Sequence, residues 1–451
     1  MMVPTQSQTK LSAGGIAWAL FEAARIPLVI LVTIYVFTPY FATVVVGDPV
    51  KGQAAVAASG KWGGWFVALT APFIGAALDR YGPRKPFLAP VVTLLASLTG
   101  LYWFALPDGS GLTVPMVIAI GAAVTVLFAY ADLGQNSLLP RAAPGLEHRA
   151  SGLGLAFGNL LAMAALMFVL FAFVWPEVPL FGLDKASHEP DRITGPIAGA
   201  IILIGCLPLF LLTPDAPRSG LSATAAFRAG LGDLKALVRD AHVNRDALTF
   251  LAARMLYADG TVAIILFSGV YAAGVLGWRT QELLTFGILQ GIFAVTGGFL
   301  AVWLDGRFGA KRALQVQIVM VLVAQLGILG LRPDMLFYAA ITPGVAVWDG
   351  PMFRTAPEIA YIAVGFINAA GITATYASSR TLLVSLVPKD STGRFFGLYT
   401  LSGSMTYWLA PTLIQLFTLW FGTQQAGYFP VIGLLVAGLI LLGFVRRGAK
   451  T

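Results

Sequence analysis

Long apolar runs, broken at near-regular intervals by clusters of charge, proline and glycine, dominate this chain. A helix that crosses the hydrocarbon core of a bilayer needs about 20 mostly apolar residues. Twelve segments meet that length: 14–40, 58–78, 87–106, 112–138, 152–175, 194–213, 248–275, 282–304, 313–331, 358–384, 394–420 and 426–445. The stretch 332–357 is also apolar, but Pro343, Gly344, Gly350 and Pro351 interrupt it, so it predicts a loop at the membrane surface. The first dozen residues are polar, and the run after them carries Glu22 and Arg25 in place of a small-residue cleavage site, so the first span is expected to stay in the mature protein. The longest connection between spans, 214–247, divides the chain into six spans in 1–213 and six in 248–451. Within it, "FRAGLGDLKALVRDA" places Phe227, Leu231, Leu234 and Val238 on one helical face and leaves Arg228, Lys235 and Arg239 for lipid headgroups, which predicts a short interfacial helix.

Composition supports the pattern. Hydrophobic residues make up 57% of the chain and charged residues 11%, with mean hydropathy +0.80, where a soluble domain carries roughly 25% charged residues. The net charge of +8 has no polar domain on which to cluster, which excludes a nucleic-acid groove. Topology explains it instead. With the N-terminus in the cytoplasm, 19 basic residues fall in inner segments and 7 in outer loops, the bias that sets orientation; both termini are expected inside. Cys206 stands alone, and His148, His188 and His242 are far apart, so neither a disulfide nor a metal centre is expected, and no cofactor. No phosphate-cradling GxxxxGK[ST] loop and no nucleophile with its base are present, which argues against an ATP-driven pump and against an enzyme.

The two halves repeat. "DRYGPRK" after the second span is echoed by "DGRFGAKR" after the eighth, pairing Arg80 with Arg307 and Gly82 with Gly309. "AAR" ending at Arg25 recurs ending at Arg254, "SLLP" at 137–140 recurs as "SLVP" at 385–388, and "RxxGL" at Arg149 recurs at Arg394. Parallel repeats of six helices imply an axis along the membrane normal and a cavity where the halves meet, the geometry of alternating access. The fold expected is an all-α membrane protein, twelve transmembrane helices in two pseudo-symmetric six-helix bundles.

The stretch from Gly75 to Lys85 fits GxxxDRxGxRK and resembles the signature of the major facilitator superfamily between its second and third helices. Gly75 suits close helix packing, Asp79 can face a helix N-terminus or an arginine, Gly82 permits the turn, and Arg80, Arg84 and Lys85 can anchor to phosphates. The resemblance implies a conformational latch there. Over nearly the whole chain, "AWALFEAARIP", "TPYFATVVVGDP", "YADGTVAIILFSGVYAAGVLGW", "TYASSRTLLVSLVPK" and "RFFGLYTLSG" resemble landmarks of the vacuolar amino-acid effluxer family and its bacterial relatives. That resemblance implies efflux of amino acids.

Six ionisable side chains lie within spans: Glu22, Arg25, Asp132, Arg254, Asp259 and Arg380. Each costs about 3 kcal/mol on insertion scales, so each needs a cavity or a partner. Depth along the helices divides them. Glu22, Arg25, Arg254 and Asp259, with Tyr257, are the candidates for binding substrate or protons: an arginine for a carboxylate, Asp259 for an ammonium, and Glu22 to take up the coupling proton. Glu22 and Arg25, three residues apart, can also neutralise each other. Asp132, Asn136 and Arg380, nearer the cytoplasmic end, are expected to be gate or packing contacts. The function expected is secondary active transport of small polar solutes, amino acids or related metabolites, by proton-coupled efflux. A multidrug or lipid-like exporter of the same fold is the alternative, followed by a non-transporting membrane assembly factor. The partners expected are a small-molecule substrate, protons and membrane lipids, with the chain a monomer in a bacterial inner membrane.

Overall fold

The structure, a computed structural model, describes residues 10–222, 224–230, 232, 245–387, 395, 398–399, 401–403 and 405–446. Leu231, Leu234, Lys235, Val238, Arg239, Pro388 and Arg394 lie outside these residues. The chain is all-α across the membrane: α1 (Ala13–Val45), α2 (Pro49–Tyr81), α3 (Lys85–Phe104), α4 (Val114–Asn136), α5 (Glu147–Val174), α6 (Glu189–Leu212), α7 (Arg245–Leu276), α8 (Thr280–Phe308), α9 (Ala310–Leu329), α10 (Ala356–Leu386), α11 (395–421, in two pieces) and α12 (Gln425–Phe444). Ten of these are long and apolar enough to cross a membrane by length and composition alone. The other two are α2, diluted by Lys51, Gln53, Lys61 and Asp79, and α11, whose apolar downstream helix has 13 residues.

Local signals set the boundaries. Hydropathy starts the second span at 58, yet α2 begins nine residues earlier, because Asp48 accepts from Lys51 N at 2.8 Å and Pro49 fills the first helical position. In α1, Pro27 ends the regular helix, and two π-helical stretches follow, Leu28–Tyr35 and Phe41–Val45. The stretch 332–357 is a surface loop that carries part of a small antiparallel sheet of β1 (Leu331–Arg332), β2 (Met335–Leu336) and β3 (Ala339–Ala340), with a further bridge between Ala346 and Thr355.

Helices cannot associate by hiding apolar surface from lipid tails that are equally apolar, so small residues and polar contacts join them. An added Cβ at Gly205 of α6 would come within 2.2 Å of Ala24 on α1, and one at Gly297 of α8 within 2.4 Å of the Ala370 carbonyl on α10. The turn after α2 and the turn after α8 lie at the same end of the molecule, here called the basic face. Polar contacts between the first six helices and the last six gather toward the other end. Gln53 of α2 donates to Thr418 of α11 at 2.8 Å and to the Gln424 carbonyl at 2.9 Å, and Thr280 of α8 donates to Asp191 of α6.

Candidate functional site

A cavity of about 680 Å³ lies where α1 and α5 meet α7, α8, α9 and α10. Its wall on α1 is Ile26 at the end of the regular helix and the π-helical stretch after it, which brings Ile30, Ile34 and Tyr35 to the same surface. Aliphatic side chains form most of the rest, and no charged residue lines it. Four amides do: Asn159 of α5, Gln290 of α8, Gln325 of α9 and Asn368 of α10. Gln325 and Asn368 are buried, yet both side-chain polar atoms of Gln325, Nε2 of Gln290 and Oδ1 of Asn368 have no hydrogen-bond partner among the described residues. Gly365 leaves room for Gln290, since a Cβ there would stand 2.4 Å from its amide nitrogen. Buried amides that lack partners cost about 1–3 kcal/mol each, a penalty that a hydrogen-bonding solute in the cavity would remove.

The ionic groups lie on the basic-face side of the cavity, and on α1 they border it, since Arg25 adjoins the cavity-lining Ile26. Asp259 precedes the cavity-lining Ile264 by five residues on α7, about 8 Å along the axis. In the first half, Arg25 is 2% exposed and its Nη2 meets Glu22 at 2.5 Å and Asp132 at 2.9 Å. Phe21 and Phe128 lie 5.7 and 5.1 Å from its guanidinium carbon. The spacing expectation had separated Asp132 from this pair. The structure corrects that, because α4 runs antiparallel to α1 and brings Asp132 level with Arg25. Glu22 and Asp132 keep 28% and 44% of their side-chain surface exposed, while Nε and Nη1 of Arg25 are buried without partners among the described residues. Two carboxylates on one guanidinium leave a net charge of −1.

In the second half, Arg254 and Asp259, the residues expected to face a zwitterion, make separate contacts with α11. Arg254 donates to the Tyr399 carbonyl at 2.7 Å and to Ser402 Oγ at 2.8 Å, with its guanidinium carbon 3.5 Å from the centre of the Tyr399 ring. Asp259 accepts from Ala410 N at 2.7 Å. Tyr257 is buried and hydrogen-bonds Ser379 of α10 at 2.7 Å, so it ties two helices of one half. Tyr407 lies within electrostatic range of Asp132 in the first half and of Arg254 and Asp259 in the second. Asn136 and Arg380 are exposed at the basic-face ends of α4 and α10.

The basic turn is held from within the first half. Gly82 has φ +112°, and a Cβ there would meet the Pro217 carbonyl at 2.1 Å. Arg84 contacts Asp79 at 3.1 Å, while Asp215 accepts from the backbone N of Arg84 and Lys85 at 2.8 and 3.1 Å, an anion at the start of α3. Lys85 Nζ donates to the Phe210 carbonyl at the end of α6. The second copy repeats this last contact: Lys311 Nζ donates to the Gly443 and Val445 carbonyls at the end of α12. Asp305, the counterpart of Asp79, instead accepts from Ser378 of α10 at 2.7 Å. Gly75 packs against Leu133 of α4, its ideal Cβ 3.2 Å from Cδ1. Near this turn, Phe227 of the linker lies 6.3 Å from Phe73 between ring centres, and an ideal Cβ at Gly230 would be 2.6 Å from Ala76 backbone.

Charge drew the candidates in the sequence, and the amides escaped. Their signal is an uncharged hydrogen-bonding residue in the middle of a span, as in "GILQGIF", "LVAQLG" and "GFINAAG".

A family model described as "Vacuole effluxer Atg22 like" matches residues 64–450. The uncharacterized MFS-type transporter YxiO of Bacillus subtilis (strain 168) is 23% identical over 444 residues, covering 96% of this chain and 95% of that one. Among solved structures, the nucleoside transporter NupG superposes with a TM-score of 0.61 at 12% identity, covering 97% of this chain and 99% of that one. A bacterial homolog of the human lysosomal transporter Spinster, inward-facing and occupied, gives 0.61 at 14% identity over 97% and 98%.

Proposed function

The chain belongs to the vacuole effluxer Atg22-like family and is a secondary transporter of the major facilitator type, not an enzyme, and from this premise we propose that it exports amino acids or related small polar metabolites in exchange for protons. The observation that carries the reading is the cavity of about 680 Å³ walled by helices of both halves, with Gln290, Gln325 and Asn368 turning unpaired polar atoms inward. Residues 1–213 and 248–451 act as the two rocking bundles and 214–247 as their link, with solute reaching the cavity alternately from either face. In this reading the crevice opens toward the basic face, where Asn136 and Arg380 are exposed and Asp132 partly so, and closes at the far face, where Gln53 bonds Thr418 and the Gln424 carbonyl. The basic face is cytoplasmic by the charge bias, with both termini there, and the membrane is a bacterial inner membrane.

Two features favour an amino acid. Nε and Nη1 of Arg25 keep N–H donors without partners among the described residues, each able to meet a carboxylate oxygen. The carboxylates of Glu22 and Asp132, partly exposed beside it, suit an ammonium. The same pair supplies proton coupling: with one cation between two acids, uptake of one proton brings the group to neutrality, and Glu22 is assigned as the acceptor. Gly75, Asp79, Arg80, Gly82, Arg84 and Lys85 form the latch that fixes the first bundle to the link. The protein works as a monomer in contact with lipid.

The test is counterflow in proteoliposomes loaded with amino acids, nucleosides or sugars under an imposed pH gradient. Saturable, gradient-driven movement of amino acids is expected. Saturable movement of nucleosides or sugars alone refutes the choice of cargo. Preference for large apolar solutes, which the aliphatic part of the wall would accept, assigns the chain to the multidrug class instead.

A further inference from the structure

Helix α11 is built in two pieces, and two side chains from α7 each hold a residue on one side of the junction. Residues 401–403 are helical, residues 405–408 form turns, and the downstream piece begins at Leu409. Pro411 explains the gap. It stands in the first turn of the downstream piece, where its missing N–H is harmless, whereas in a continuous helix it would remove a hydrogen bond to the Tyr407 carbonyl and press against it. A broken helix exposes orphan carbonyls on one side and orphan N–H groups on the other. Arg254 reaches the Tyr399 carbonyl and Ser402 Oγ of the upstream piece, and Asp259 accepts from Ala410 N in the first turn downstream. An anion thus lies at the positive end of the downstream helix dipole, and the same helix, α7, grips both pieces. Arg254 and Asp259 are buried, at 9% and 4% exposure.

The opposite bundle packs directly on the gap. A Cβ at Gly64 of α2 would come within 2.5 Å of Trp408 N and 2.6 Å of the Tyr407 carbonyl carbon. Trp65 stacks on Trp408 with ring centres 4.0 Å apart. Beyond the gap, toward the far face, Lys61 donates to Gln415 at 2.6 Å and Gln53 to Thr418 at 2.8 Å. The downstream piece therefore lies along α2 and forms part of the far-face seal.

We propose that Arg254 and Asp259 are positioning residues for alternating access: they set the angle at the gap in α11 at which its downstream piece closes against α2, and release of Ala410 from Asp259 opens the far face. Neither side chain then touches the cargo, and the role holds for any solute carried. It goes beyond the transport reading and is independent of the cargo assigned there.

Full-length protein in lipid nanodiscs, with Cys206→Ala and spin labels at Lys51→Cys and Thr423→Cys, tests this by pulsed electron paramagnetic resonance distances. Both label sites are exposed, near the far ends of α2 and α11. Asp259→Ala is expected to raise the ratio of long to short distances about tenfold, the size of a lost helix cap. Asp259→Asn keeps an oxygen acceptor for Ala410 and is expected to restore most of the short population. A distribution in Asp259→Ala equal to that of the parent overturns the proposal, and so does an Asn variant that behaves like Ala. Should Asp259→Ala fail to fold, Gly64→Ala disturbs the same gap from the opposite bundle and must lengthen the distance; an unchanged distribution there overturns the proposal equally.

Discussion

Replacing Gln325 by leucine should make this protein more stable and a worse transporter at once. The side chain is 0% exposed, and neither of its polar atoms has a partner among the described residues. An unpaired buried amide costs about 1–3 kcal/mol, and an apolar side chain of similar shape removes that penalty. Gln325→Leu is therefore expected to raise the unfolding temperature of the purified protein, with the gain bounded by that figure. The same substitution deletes a hydrogen-bonding group from the cavity. If the cargo satisfies the amide, its loss removes roughly 1–2 kcal/mol of binding, about a 5- to 30-fold rise in the half-saturation concentration. Thermal unfolding in detergent and initial rates in proteoliposomes measure the two quantities on one preparation. A lower unfolding temperature would mean that the amide is satisfied within the protein, and unchanged transport would mean that the cargo does not reach it. Either result refutes the reasoning, because the opposed signs follow only if one group is costly in the empty cavity and useful in the filled one.

Other perturbations read other parts of the molecule. Asn368→Leu should repeat the pattern of Gln325→Leu, and the double variant should show a half-saturation shift different from the sum, since both amides line one cavity. Glu22→Gln should flatten the pH dependence of transport, and unaltered pH dependence would remove Glu22 from proton coupling. Gly82→Ala forces a side chain into φ +112° and into the Pro217 carbonyl, so yield of folded protein should collapse; normal monodisperse yield would show that the turn relaxes freely. Asp215→Ala removes the acceptor at the start of α3 and should cost about 1 kcal/mol of stability with transport retained, a split that thermal unfolding and uptake rates resolve.

The fold was legible because spans announce themselves by length and apolarity, and because "DRYGPRK" and "DGRFGAKR" mark equivalent turns. The start of α2 was less so. Hydropathy falls across Lys51 and Gln53, while the true signal is the Asp48–Pro49 cap, read only by asking where orphan N–H groups go. The ionic residues were legible one by one and not as partners. Arg25 chooses Asp132 through the register of two antiparallel helices, and Arg254 chooses Tyr399 and Ser402 through the packing of α7 on α11; neither fact is encoded in the spacing along one helix. The cavity amides were hidden for a different reason: a single glutamine in a hydrophobic span barely changes hydropathy, although the lack of a partner makes it expensive.

The lysines at the starts of α3 and α9 bear on how such a molecule arose. Each fastens the third helix of its bundle to the closing carbonyls of the sixth, Lys85 on Phe210 and Lys311 on Gly443 and Val445. Within either bundle the third and sixth helices are thus joined, at one end, by bonds that require nothing from its twin. A six-helix unit standing alone would keep that join.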